Sequence, residues 1–180
     1  KFDDNMTFVQ KVMYQVEQLK LWSLKNDKSG FEKEYRKVLS NVEKLEESVD
    51  KHHALADVLM RGYWWLPGEK NDATFNRIKE SAKKSHNEDV MQSVVSYEMD
   101  KYSGQERIEF LLNTKIPHIQ KIGFNKTLGY CWFWLGYYYI EAKQFEDGIN
   151  SYKKVLSILD ENDIYYANAL SAIEVEEQIL

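Results

Sequence analysis

The sequence predicts an all-α fold, a stack of antiparallel helical hairpins, and three observations carry that prediction. Helix-breaking residues are scarce: the 180 residues contain only two prolines, Pro67 and Pro117, and eight glycines. Apolar side chains recur at helical spacing along most of the chain. The helices so read return at a nearly fixed interval, which is the mark of a helical repeat array; a non-repetitive bundle is the alternative.

The first helical pattern runs from about Met6 to Leu24, with Val12, Val16 and Leu19 among its apolar positions. Asn26 to Gly30 reads as a turn. The second helix, about Phe31–Glu47, carries Phe31, Tyr35, Val38, Leu39, Val42 and Leu45, which draw one stripe along one face. The third, about His52–Trp65, stops at Leu66-Pro67-Gly68, because proline cannot donate to the helical ladder and glycine favours the turn. Asn71-Asp72 can cap a fourth helix over Ala73–His86. A fifth covers Asp89–Tyr102 and a sixth Gln105–Thr114, with Ser103-Gly104 turning the chain between them. Pro117 and Gly123 read as an irregular link. The seventh helix is about Lys126–Lys143, the eighth about Phe145–Asp160 and the last about Asp163–Leu180.

Paired as hairpins, the leading helices start near 52, 88, 126 and 162, at intervals of 36, 38 and 36 residues. The following helices that open at Phe31-Glu32 and Phe145-Glu146 each contain Lys-Val-Leu-Ser, at Lys37–Ser40 and Lys154–Ser157. A single hairpin leaves its apolar face bare, and stacking on its neighbours completes the core.

Within the best hairpin, Trp132, Leu135, Gly136 and Tyr139 are followed by Gly148 and Tyr152. This stretch, about 129–161, resembles a tetratricopeptide repeat, whose pattern is W-x-x-L-G-x-x-Y, then a small residue and an aromatic four residues later. Gly148 stands where alanine is usual, and Asp160 where proline often stands. Gly62, Trp65, Thr74 and Ile78 keep the same spacing in degenerate form, Thr74 being bulkier than the pattern prefers. Met99, Tyr102 and Leu111 keep it without the small residues. The resemblance divides one domain into a degenerate hairpin (1–50), two degenerate repeats (52–122), the best repeat (126–161) and a capping or truncated helix (163–180). It implies a right-handed superhelix of about four stacked hairpins plus a final helix.

The resemblance also implies a concave face, lined by the leading helices, that binds protein or peptide segments. Tyr130, Phe133 and Tyr137 would line it in the best repeat, Ala56, Leu59 and Tyr63 in the second hairpin, and Ser93, Ser96 and Asp100 in the third. These are aromatic, apolar, small polar or acidic, which departs from the Lys, Arg and Asn of repeats that clamp a C-terminal carboxylate. Aromatic side chains suit apolar groups of a peptide or a neighbouring helix instead. The same residues also fit the core of the stack. Bacterial peptide-sensing regulators share the general layout, though no specific motif marks one here.

Composition narrows the function further. The net charge is −5, and no basic stretch exceeds Lys83-Lys84, which excludes a stripe built for nucleic acid. From Glu141 onward there are three lysines against nine Asp and Glu. The longest apolar run, Leu128–Ile140, has 13 residues, short of the about 20 that span a bilayer. Cys131 is the only cysteine and sits among aromatics, so it reads as a buried, inert thiol. The adjacent His52 and His53 diverge by about 100° on a helix and do not form a metal site together. His86 and His118 stand apart from other ligands, and Ser81-x-x-Lys84 and Ser151-x-x-Lys154 lack the partner motifs of serine acyl-enzymes. Asn5-Met6-Thr7 and Asn125-Lys126-Thr127 fit the glycosylation pattern of secreted eukaryotic chains.

The sequence therefore predicts a non-catalytic module, with no cofactor and no metal, that binds a protein or peptide partner; the alternatives are a peptide-sensing regulatory domain, or a cell-envelope accessory protein that self-assembles or binds a small ligand. The compartment stays open between the cytoplasm and, if a signal or lipoprotein leader precedes Lys1, a bacterial cell envelope.

Overall fold

The computed structural model describes residues 6–25 and 27–176. Among these residues the chain is all-α, built from helical hairpins and without strands. Packing divides it into two compact units, residues 1–90 and 91–180.

The first unit contains α1 (Phe8–Ser23), α2 (Lys28–Glu43), α3 (Val49–Trp65) and α4 (Asp72–Lys84), and ends just inside α5 (Glu88–Met99). Each of the first four helices starts where a side chain satisfies a backbone N–H that has no helical partner. Thr7 accepts from the Gln10 N–H, and the Gln10 side chain accepts from the Thr7 N–H, closing a capping box. Asp27 caps α2 through the Gly30 N–H, so the helix begins three residues before the Phe31 start that Gly30 suggested. Ser48 caps α3, and Asn71 caps α4 through the Thr74 N–H at 2.9 Å. Each such cap contributes about 1 kcal/mol.

α1 packs on α2, α2 on α3 and α3 on α4. Val12, Val16 and Leu19 meet Phe31, Tyr35, Val38 and Val42 in a buried interior that continues through Val58, Leu59, Ile78 and Ala82. Pro67 ends α3 as expected and opens a single 3-10 turn, Pro67–Glu69. Gly62 allows a close approach between helices in this unit. A Cβ there would lie 2.4 Å from the Tyr35 ring. At the spacing that matches Gly136, then, Gly62 accommodates the preceding helix rather than its own hairpin partner.

The second unit holds the rest of α5, then α6 (Gly104–Phe110), α7 (Ile116–Ile122), α8 (Asn125–Glu141), α9 (Phe145–Ile158) and α10 (Ile164–Glu176). The irregular link expected around Pro117 is not there. A π-helical turn, Leu111–Lys115, joins α6 to α7 in one helical run that carries Pro117 in the first turn of α7. Proline lacks the N–H of the normal ladder and clashes with the carbonyl four residues back. The widened turn just before it shifts that ladder and removes both conflicts. Gly123 then stops α7 with φ +76°, a left-handed cap natural to glycine.

α8 and α9 form the tightest hairpin. Cβ atoms at Gly129, Gly136 and Gly148 would approach Leu159, Tyr152 and Ile140 to 2.4, 2.8 and 2.4 Å. A Cβ at Gly136 would also lie 3.1 Å from the Gly148 carbonyl oxygen. Small residues thus let the two backbones touch along the whole hairpin. α10 closes over α9, burying Ala169 and Ile173 with Ile149, Tyr152 and Val155. Trp132 and Phe133 pack against the edge of that cluster. The last helix is described to Glu176, and the expected residues 177–180 lie outside the described ones.

Candidate aromatic recognition surface

α8 has three working sides. Gly129, Trp132 and Gly136 face α9, while Thr127, Cys131 and Leu135 are fully buried. The third side is a continuous aromatic stripe: Tyr130, Phe133, Trp134, Tyr137 and Tyr138, ending in Glu141. These positions repeat at three and four residues, so they share one helix face.

The stripe grades from core to surface. Tyr130 is 6% exposed, Phe133, Trp134 and Tyr138 are half-buried, and Tyr137 is 41% exposed. Its rings interlock: Trp134 stacks on Tyr138 at 5.8 Å, and Tyr137 meets both at steep angles. Each such pair contributes about 0.5–1.5 kcal/mol beyond area burial.

Two flanks border the stripe. On one, the Ser96 and Tyr130 hydroxyls hydrogen-bond, tying α5 to α8. The guanidinium of Arg107 in α6 lies 4.8 Å from the Tyr138 ring centroid. Arg107 also donates through Nε and Nη2 to the carbonyls of Met99 and Tyr102, the open C-terminal end of α5. On the other flank Tyr165 of α10 stands 5.2 Å from the rings of both Tyr130 and Phe133.

Two exposed carboxylates complete the surface. Glu141 accepts from the Tyr137 hydroxyl at 2.9 Å through one oxygen. Asp100 has no hydrogen bond or ion pair to its side chain among the described residues. Burial pushes the Tyr138 hydroxyl above its ordinary range; Arg107 opposes the shift, and Asp100 and Glu141 add to it. Tyr152, beneath the stripe, is pushed up to about 12 by burial, with Glu176 and Tyr137 adding to it.

Of the residues read as groove positions, the structure gathers Ser96, Asp100, Tyr130, Phe133 and Tyr137 around this stripe. Leu59 and Tyr63 are 0% and 3% exposed and belong to the interior of the first unit, where Tyr63 packs on Phe75. Ala56 is likewise fully buried. These three are core positions, because both sides of α3 are covered by α2 and α4. Trp134, Tyr138 and Glu141 were not among the residues the sequence reading selected, yet they lie four, eight and eleven residues from Tyr130 and so repeat its face. Arg107 and Tyr165 reach the stripe from other helices, and nothing in their local sequence marks them.

Behind the stripe, burial raises the Cys131 thiol to about 12. Lys115, placed inward by the π turn, forms a buried ion pair with Glu98, the two side chains being 8% and 14% exposed. Among the described residues no group of three or more His, Cys, Asp or Glu is arranged to hold a metal ion, and no helix is long and apolar enough to cross a membrane. Comparison with known families, with curated proteins and with solved structures finds no match to this chain.

Proposed function

We propose that this chain is a non-catalytic recognition module that holds a protein or peptide segment against the aromatic stripe of α8. One observation carries the reading: an interlocked aromatic surface continues from buried Tyr130 to 41%-exposed Tyr137. Rings fixed by neighbours lose little conformational freedom on binding, and aromatic anchors dominate interface energetics. The two flanks give the stripe borders in which an extended or helical segment can register. Within this proposal the chain is a tetratricopeptide-like array whose hairpins stack as a right-handed superhelix. The glycine-mediated contact of α8 with α9 supports it.

The test is affinity capture from a lysate of the source organism, with Tyr137→Ser/Tyr138→Ser as control and circular dichroism confirming its fold. Phe133 is left intact because its ring packs on Tyr152 and Tyr165. A partner lost only from the folded variant supports the reading. Equal capture by both proteins overturns it.

A second reading, self-association, has its own observation. Ile164 and Val175 are 69% and 55% exposed, and their spacing of eleven residues puts them on one side of α10. A mass that stays monomeric as concentration rises would remove this reading.

A further inference from the structure

Resting on that reading, we propose that the segment bound by the stripe is basic, with a lysine or arginine side chain at the exposed Tyr137–Tyr138 end of the stripe, where Glu141 and Asp100 offer carboxylate oxygens. Charge is the first argument. Residues 91–180 contain eight Lys and Arg against thirteen Asp and Glu, whereas residues 1–90 contain sixteen of each. The whole net charge of −5 therefore belongs to the unit that carries the stripe.

The local groups agree with that balance. Asp100 has open acceptors on both oxygens, and only one Glu141 oxygen is engaged, by a neutral hydroxyl. Arg107 is a nearby cation, and its Nε and Nη2 are committed to main-chain carbonyls rather than to these carboxylates. The rings themselves are suited to cations. Arg107 already lies over Tyr138, while Tyr137 stays exposed at the open end of the stripe. An acidic or phosphorylated segment would meet the carboxylates of Asp100 and Glu141, both of which act on the Tyr138 hydroxyl, and be repelled. A wholly apolar segment would cover Asp100 and Glu141 without pairing them, which carries a desolvation cost.

The experiment selects a displayed library of random twelve-residue peptides on the whole chain. One recovered peptide is then titrated against wild type, Asp100→Asn/Glu141→Gln and Tyr137→Ser. Both carboxylates are exposed, so their neutral isosteres should leave the fold intact, which circular dichroism checks. The expected result is enrichment of Lys and Arg among recovered peptides and a loss of about tenfold or more in affinity on the charge-neutral variant. The same peptide should weaken steeply as salt rises, and its counterpart with citrulline for arginine should bind no better to wild type than to the variant. Recovery of neutral or acidic peptides that bind the charge-neutral variant as well as wild type, but lose affinity on Tyr137→Ser, overturns the basic-segment proposal and leaves the recognition surface standing. Recovery of no peptide whose binding depends on Tyr137 overturns both.

Discussion

Residues 1–90 and 91–180 use their charged groups differently. In the first unit acids and bases meet each other across and along the helices: Glu32 with Arg36, Glu34 with Lys37, Glu43 with Arg77, and Glu47 with Lys51, His52 and Lys84. In the second, Asp100 and one oxygen of Glu141 are left open beside exposed rings, while a different pair, Glu98 and Lys115, is buried. Self-paired surface charges contribute little to stability. They also offer little to a partner. Open carboxylates beside fixed rings are available for recognition, and a buried pair holds the scaffold behind them. The aromatic residues divide the same way, ten in the first ninety residues and fifteen in the second.

The largest expected effect tests whether the second unit is as closed as its interior suggests. Cys131 is 0% exposed and its thiol is raised from 9.0 to about 12. The thiolate is the reactive form, so burial both shields the sulfur and keeps it protonated. Ellman's reagent should therefore react with native protein many times more slowly than with protein in strong denaturant. Reaction at the rate of a free thiol would show that this unit opens readily and that its stripe is not pre-organised.

Breaking the buried pair comes next. Lys115→Met removes the Lys115 ammonium from the largely buried Glu98 carboxylate, at a cost of about 3–5 kcal/mol. Urea unfolding measures the loss, and hydrogen exchange should place it within residues 91–176. Adding Glu98→Gln should recover much of the stability, because the buried carboxylate charge is gone as well. A loss under 1 kcal/mol for Lys115→Met would mean that the pair is solvated and that the contrast between the units is overstated.

The glycines compare the two units by packing instead of charge. Gly62→Ala drives a Cβ against the ring of Tyr35, which is fully buried and has no room to move. Overpacking of this kind costs about 1–3 kcal/mol, with Gly62→Ala near the top of that range. Gly136→Ala meets the Tyr152 ring and a backbone oxygen, and should fall near 2 kcal/mol. Gly148→Ala meets Cδ1 and Cγ1 of Ile140, which can shift, and its Cβ would lie 3.3 Å from the Gly136 carbonyl oxygen, a looser backbone contact than at Gly136. The gain of about 1 kcal/mol in helix propensity offsets part of this, so its loss should be the smallest of the three. Thermal melts of the three variants should follow this order.

The hairpins were legible in the sequence because apolar spacing and capping residues act locally. Leu66-Pro67-Gly68 ended α3 and Asn71 capped α4 where expected. The turn at Gly30 was misread, since Asp27 reaches forward to cap a helix that contains the glycine. Pro117 was misread because the π turn that absorbs it has no local signature. For the surface, Tyr130, Phe133 and Tyr137 were visible as a helical stripe. Their exposure was not, because it depends on how far α5 and α10 reach along α8. Leu59 and Tyr63 show the same limit from the other side. Helical spacing assigns a face, and only the packed neighbours decide whether that face is covered.

The smallest expected effect is a pH dependence in the first unit. The hydrogen bond from His52 holds the Glu47 carboxyl below its usual value of 4.5, with burial opposing the shift and the charges of His52, Lys51 and Lys84 adding to it. A carboxylate whose pKa is lower in the folded state binds protons more readily when unfolded. Its contribution is therefore fully present above about 4.5 and fades as pH falls through the lower folded value. Glu47 is exposed, so the effect should be a small shift in urea midpoint between pH 6 and pH 3, larger in wild type than in Glu47→Gln. Equal acid sensitivity in wild type and Glu47→Gln would show that the contacts of Glu47 with His52, Lys51 and Lys84 contribute nothing to the stability of the first unit.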